Sequence, residues 1–197
     1  IVNIIMLVTK EPRRYRIECS NWPDFAAECS VELDIYHSSD CLHIHYYVDE
    51  PAVVANCGKD MEHVWEDSCV EFFFEPVHNG VYFNVECNCI GHIYLCSGTG
   101  RSERVPVSEA ALDGIRRKSS FPPRPFGLRN YRTQWDLSLD IPASVFGLES
   151  YDGVVARGNF YKCADASPFR HYMSLFPIPT PRPDFHRPEY FGDIIFD

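Results

Sequence analysis

The chain lacks any Cys-x-x-Cys pair, any apolar run long enough to cross a bilayer and any excess of positive charge. Each lack argues against a class of function. Without Cys-x-x-Cys, neither a thiol redox motif nor a zinc ribbon is indicated, although nine cysteines stand at 19, 29, 41, 57, 69, 87, 89, 96 and 163. Those thiols read as mostly reduced and buried, since free cysteine packs as a small hydrophobe. The opening run Ile1–Val8 is apolar but eight residues long, against the roughly 20 that a spanning helix needs. No basic region precedes it, no small-residue cleavage site follows, and localisation cannot be read. With 18 Lys+Arg against 28 Asp+Glu the formal charge is −10, the wrong sign for nucleic-acid backbones or anionic polysaccharides. Gly-x-Ser-x-Gly, phosphate-loop and zincin motifs are all missing.

What the chain does have suits a β-rich fold: 14% aromatics, 15 prolines and 11 glycines in 197 residues. Val70, Phe72 and Phe74 alternate with Cys69, Glu71, Phe73 and Glu75; Val81, Phe83, Val85 and Cys87 alternate with Tyr82, Asn84, Glu86 and Asn88. Period two marks strands, and Asn79-Gly80 between them signals a hairpin because both residues tolerate positive φ. A register pairing odd with even positions buries both apolar rows together. Val31–Tyr36 and Leu42–Val48 alternate likewise around His37–Asp40 and predict a second hairpin. Further strands are expected at 135–141, 154–163 and 191–196. Ser108 caps a short helix through Ile115. The stretch 101–130 has no periodicity, and 164–190, with Pro168, Pro177, Pro179, Pro181, Pro183 and Pro188, reads as a long surface loop, functional or tightly packed. No repeat or linker breaks the chain, so 1–197 reads as one domain: all-β, an antiparallel β-sandwich of immunoglobulin-like or jelly-roll-like type with at most one or two short helices. The pattern also admits a barrel.

In the paired hairpin the two polar rows share one face: Glu71, Glu75, Asn84, Glu86 and Asn88, with Phe73 and Tyr82 among them. Acids and amides beside aromatic rings suit a polar, hydrogen-bonding ligand, and neutral sugars fit best with the acidic charge. The chain resembles the carbohydrate-binding module family 9-like domains, relatives of the DOMON β-sandwiches. The resemblance is carried in order by Val64–Phe73 (VWEDSCVEFF), Tyr82–Gly91 (YFNVECNCIG), Trp135–Pro142 (WDLSLDIP), Ala156–Cys163 (ARGNFYKC) and Pro183–Gly192 (PDFHRPEYFG). It covers nearly the whole chain and implies a non-catalytic sandwich that binds sugars, often attached to polysaccharide-degrading enzymes.

Sugars are held by aromatic rings against their C–H faces and by planar polar groups on paired hydroxyls. The resemblance makes Trp65 a stacking platform and Glu71 a hydroxyl acceptor, with Asn84 and Glu86 on the neighbouring strand and Asn159 as a later polar contact. Against these stand duller readings: Trp65 as core packing, and Glu71 as a surface charge or ion-pair partner of Arg157. Relatives carry tryptophan where this chain has Phe176, so a second platform there would be smaller and without an N–H donor. The alternative function is a carbohydrate-active hydrolase using Glu71 and Glu86 as its two carboxylates, but both acids read as lying on an open face with no asymmetry of environment. His43 and His45 share a side of one strand, where they read as solvent-facing rather than metal-binding. No cofactor is required. Structural calcium, known in the resembled family, would draw on Asp49, Glu50, Asp60, Glu62 or Asp67. Haem ligation, as in some DOMON relatives, has only Met6, Met61 and Met173 to use, and no Cys-x-x-Cys-His exists.

Overall fold

A computed structural model describes residues 5–197, so the first four residues of the opening apolar run lie outside the described part. In chain order its strands are β1 (Ile5–Val8), β2 (Arg13–Arg16), β3 (Ser30–His37), β4 (Cys41–Glu50) and β5 (Val53–Ala55). These are followed by β6 (Cys69–Glu75), β7 (Tyr82–Asn88), β8 (Ile93–Gly98), β9 (Arg104–Pro106) and β10 (Arg116–Ser119). The last are β11 (Gly127–Arg129), β12 (Thr133–Pro142), β13 (Val155–Cys163), β14 (Tyr172–Ser174) and β15 (Gly192–Phe196). The single α-helix among the described residues is α1 (Glu109–Gly114), whose first turn is capped by the Ser108 hydroxyl accepting from the Ala111 N–H. Among the described residues no helix is long and apolar enough to cross a membrane.

The strands form a β-sandwich. One sheet runs β1-β15-β13-β6-β7-β8-β9 with β14 also on β13; the other runs β10-β12-β4-β3-β2; β5 and β11 form a small pair. All pairings are antiparallel except β1 with β15. Both expected hairpins form; in the first, odd positions pair with even ones as expected, Phe72 facing Val85 and Phe74 facing Phe83, and in the second Leu33 faces Tyr46 and Ile35 faces Ile44. The β6–β7 connection is longer than a two-residue turn. Gly80 holds φ +82°, and its N–H donates to the Glu75 carboxylate at 2.8 Å.

Core packing follows the alternation. Val31, Leu33 and Ile35 from β3, Leu42, Ile44 and Tyr46 from β4, and Leu137, Leu139 and Ile141 from β12 face Val70, Phe72 and Phe74 across the sandwich. Phe72 stacks on Phe160 of β13 at 4.3 Å between ring centroids. Removing this much apolar surface from water is the main stabilisation of such a two-sheet fold.

The other face of β6 and β7 departs from the open surface expected. All seven residues of β6 are buried, because the proline-rich segment 164–190 and the 3-10 turn Pro23–Phe25 region lie over it. A second cluster joins Phe73, Tyr82 and Tyr161 of the sheet to Trp22, Ile178 and Phe185 of the cover. Phe185 stacks on Tyr161 at 4.2 Å and accepts its hydroxyl hydrogen bond through its backbone carbonyl. The segment expected to be a surface loop is therefore a lid packed on the sheet. It also contains β14, and the aperiodic stretch 101–130 contains β9, β10 and β11.

Candidate ligand-binding cleft

Where the cover stops short of the sheet, a cleft of about 310 Å³ remains. Its floor is Glu71 of β6, Glu86 of β7 and Cys163 of β13; cross-strand register sets Glu71 opposite Glu86 on one side and opposite Tyr161 on the other. Trp65 stands at the rim, carried by the short 3-10 turn Val64–Glu66. His63 stacks on its ring at 4.5 Å and Tyr94 meets its edge at 5.2 Å. Trp65 is half-buried, held on two sides and bordering the cleft with the remainder.

The walls carry charge. Arg101 pairs with Asp184 at 2.6 Å, Arg170 with Asp165 at 3.4 Å, and the Arg170 Nε–H also donates to the Tyr172 hydroxyl. Arg104 donates through Nε to the Arg101 carbonyl, while its Nη1 is buried without a protein partner. His186 closes the site, its Nδ1 2.7 Å from the Tyr82 hydroxyl. Burial and the nearby Arg104 and Arg101 hold His186 down to about 3, so its ring is neutral and accepts from the tyrosine.

The two floor acids are 3% and 4% exposed. Burial, then the Cys163 thiol and Glu86, push Glu71 well above the usual carboxylate range. Burial pushes Glu86 up to about 7, against the pull of a 2.8 Å hydrogen bond from the Asn84 side-chain amide and the charges of Arg104 and Arg101. At neutral pH the floor therefore offers carboxyl groups that donate as well as accept. Since the folded state holds the Glu86 proton more tightly than the 4.5 of a free side chain, the stability it contributes is full below about pH 4.5. It is lost as the pH rises through about 7, a swing of about 3 kcal/mol. Melting temperatures of wild type and Glu86→Gln should diverge in favour of the variant from pH 4.5 to 7.5. His171 and His186, whose depressed values act in the opposite sense between about 6.5 and 3, are common to both proteins and cancel. Parallel curves would mean that water reaches Glu86 in the folded chain.

Of the residues singled out from sequence, Trp65, Glu71 and Glu86 converge on the cleft. The other four do not line it, and the expectation that they contact a ligand there is corrected. Asn84 lies wholly under the cover beside Glu86. Asn159 is equally buried: its amide donates to the Phe176 carbonyl, and its carbonyl oxygen accepts from the Phe160 and Phe176 N–H groups, tying the cover to β13. Arg157 pairs with Glu75, not Glu71, at 3.3 Å and donates to the Pro188 and Phe191 carbonyls. Phe176 is 4% exposed and belongs to the core between the sheets, so it offers no platform. The side chains missed from sequence are those of the walls. Most lie in 164–190, where the density of proline beside aromatic and charged residues was the available signal.

The further metal and haem options fare as follows. His43 and His45 are each taken by a carboxylate of β12, Asp140 at 2.7 Å and Asp136 at 2.9 Å. The carboxylates considered for calcium are all engaged by protein groups: Asp67 by the Asn56 and Cys57 N–H groups, Glu62 by those of Gly58 and Lys59, Asp60 by Arg117, Asp49 by Arg132 and Glu50 by Lys162. Met6 and Met173 pack in the core, and Met61 accepts the Leu95 N–H.

A two-sheet sandwich with an aromatic-rimmed, carboxyl-floored cleft on one sheet defines the class: a β-sandwich binding module. The sequence model of Carbohydrate-binding family 9 matches residues 2–196, and the chain belongs to that family. A crystal structure of a protein from Bacteroides uniformis ATCC 8492, provisionally described as carbohydrate-binding, is 36% identical, with a TM-score of 0.91 over 94% of this chain and 87% of that one. A family 9 module from Caldicellulosiruptor kristjanssonii in complex with cellotriose shares the fold at 12% identity, with a TM-score of 0.59 over 98% of this chain and 94% of that one. The UPF0462 protein C4orf33 homolog of Rattus norvegicus is 28% identical over 158 residues, 77% of this chain and 70% of that protein.

Proposed function

We propose that the cleft binds a short neutral sugar or the end of an oligosaccharide, without chemical turnover. The observation that carries this reading is the convergence of the Trp65 ring, Glu71 and Glu86 on one cleft in a chain of a carbohydrate-binding family. A ring at the rim supplies a surface for sugar C–H groups, and buried carboxyls facing each other across a strand pair supply planar donors and acceptors for hydroxyls. The volume lies at the small end of ligand pockets, about 300–1,000 Å³, and favours one or two sugar units over a long stretch of polymer. Hydrolysis by Glu71 and Glu86 is the weaker reading. A glycosidase needs an ionised base or nucleophile beside its acid, yet burial drives both carboxyls upward together. The family also supports a further proposal, that such a module serves a polysaccharide-degrading enzyme by holding it on its substrate.

Calorimetric titration with glucose and with gluco-, xylo- and manno-oligosaccharides tests the reading, with saturable heat expected for at least one. Trp65→Ala should weaken that binding about fivefold or more, matching roughly 1 kcal/mol or more for ring stacking, with little change in melting temperature. Silence toward every sugar would overturn the proposal. Unchanged affinity with a lowered melting temperature would make Trp65 a packing residue.

A further inference from the structure

Among the described residues, one group of side chains gathers metal-ligating atoms: Cys69, Glu71 and Cys163, all buried, with one ligand atom of each within 4.8 Å of the others. The grouping is built by register. Cys69 and Cys163 are direct partners across β6 and β13, and Glu71 is the next residue of β6 on the same face. The Cys163 thiol lies 3.1 Å from the Glu71 carboxylate and 3.4 Å from the Trp65 carbonyl. Cys69 makes a long contact, 3.7 Å to the Val70 carbonyl, and its thiol is a hydrogen-bond neighbour of the Cys163 thiol. The three groups sit on rigid neighbouring strands, and two of them, Glu71 and Cys163, open onto the cleft.

We propose that Cys69, Cys163 and Glu71 bind one thiophilic divalent cation, zinc first, with the fourth coordination position facing the cleft. Tetrahedral Zn²⁺ with Zn–S near 2.3 Å and Zn–O near 2.1 Å sets its ligand atoms roughly 3.6–3.8 Å apart. The observed spread reaches that by small side-chain shifts. Two thiolates select against calcium and magnesium, which take oxygen. Three protein ligands and an open position are the arrangement of zinc sites that receive water or a ligand oxygen. The proton balance closes: the ligands bind as two thiolates and a carboxylate, and any proton a ligand carries in the metal-free chain is released to solvent on binding. The bound unit, two thiolates and a carboxylate around Zn²⁺, keeps one negative charge, which Arg101 and Arg104 on the cleft wall offset.

The proposal does not rest on sugar binding, and metal content reads it directly. Protein reduced, loaded with zinc chloride and desalted is expected to retain one zinc per chain by elemental analysis. Co²⁺ in its place should give a thiolate-to-cobalt charge-transfer band. Cys163→Ser should abolish both, and Glu71→Gln should weaken zinc retention at least tenfold, each with a melting temperature measured on the metal-free protein to confirm folding. Should Cys69→Ser fail to fold, the cleft-side pair Cys163→Ser and Glu71→Gln decides alone. No retained zinc in reduced wild type, zinc retained equally by Cys163→Ser, or a Cys69–Cys163 disulfide that survives reduction and excludes the metal would each overturn it.

Discussion

Lys162→Met is expected to destabilise the protein by about 3–5 kcal/mol, the cost of leaving one member of a buried ion pair without its partner. Lys162 lies on the core-facing row of β13 and has no exposure, as has Glu50 of β4. Its ammonium donates to the Glu50 carboxylate at 2.9 Å, to the Cys163 carbonyl at 2.8 Å and to His171 Nε2 at 3.0 Å. Glu50 accepts a further bond from the Trp135 indole N–H at 2.6 Å, and His171 Nδ1 lies 2.7 Å from the Phe169 carbonyl. Burial and the adjacent Lys162 charge hold His171 down to about 3, which makes it a neutral ring that accepts from the lysine. The network joins both sheets to the start of the cover. With the lysine gone, Glu50 keeps only the indole donor. At roughly 2–4 °C per kcal/mol for a chain of this size, the melting temperature should fall by about 6–20 °C. The double variant Glu50→Gln with Lys162→Met should recover much of the loss, because it removes the stranded charge. A single-variant loss under about 1 kcal/mol would show that water reaches Glu50 and that the pair holds the sheets together only weakly.

Phe176→Ala should cost about 3–5 kcal/mol through the cavity left by a buried aromatic ring and leave sugar affinity unchanged. Its ring presses on the β15 backbone so closely that a Cβ at Gly192 would stand 2.4 Å from Phe176 Cε2. Its own N–H and carbonyl are bonded to Asn159. Gly192 is the residue that admits the ring, and Gly192→Ala should therefore destabilise in the same direction. Denaturant unfolding beside a calorimetric titration separates the outcomes. Lost affinity in a folded Phe176→Ala chain would return this residue to the ligand site, as the resemblance to tryptophan-bearing relatives first suggested.

The sequence by itself determined the two hairpins, the odd–even pairing of the first and which row of each strand faces the sandwich core, because period-two alternation states locally which side is apolar. It also placed Glu71 opposite Glu86, since adjacent strands of that pairing put these residues face to face, while Trp65 was singled out by the family resemblance. Only the tertiary structure decided that the polar face of β6 and β7 is covered. The apolar side chains that cover it, Trp22, Ile178 and Phe185, come from both ends of the chain, and no local pattern states where a proline-rich segment will lie. That cover turned Asn84 and Asn159 from exposed amides into buried structural bonds, sent Phe176 into the core and drove both carboxyls upward by desolvation. It also brought Asp165, Tyr172, Asp184 and His186 to the cleft wall. The partner of Lys162 was likewise hidden. A charge on a core-facing row makes sense only once the opposite sheet supplies a carboxylate at the same depth, and that meeting of residues 112 positions apart is a property of the packed sandwich alone.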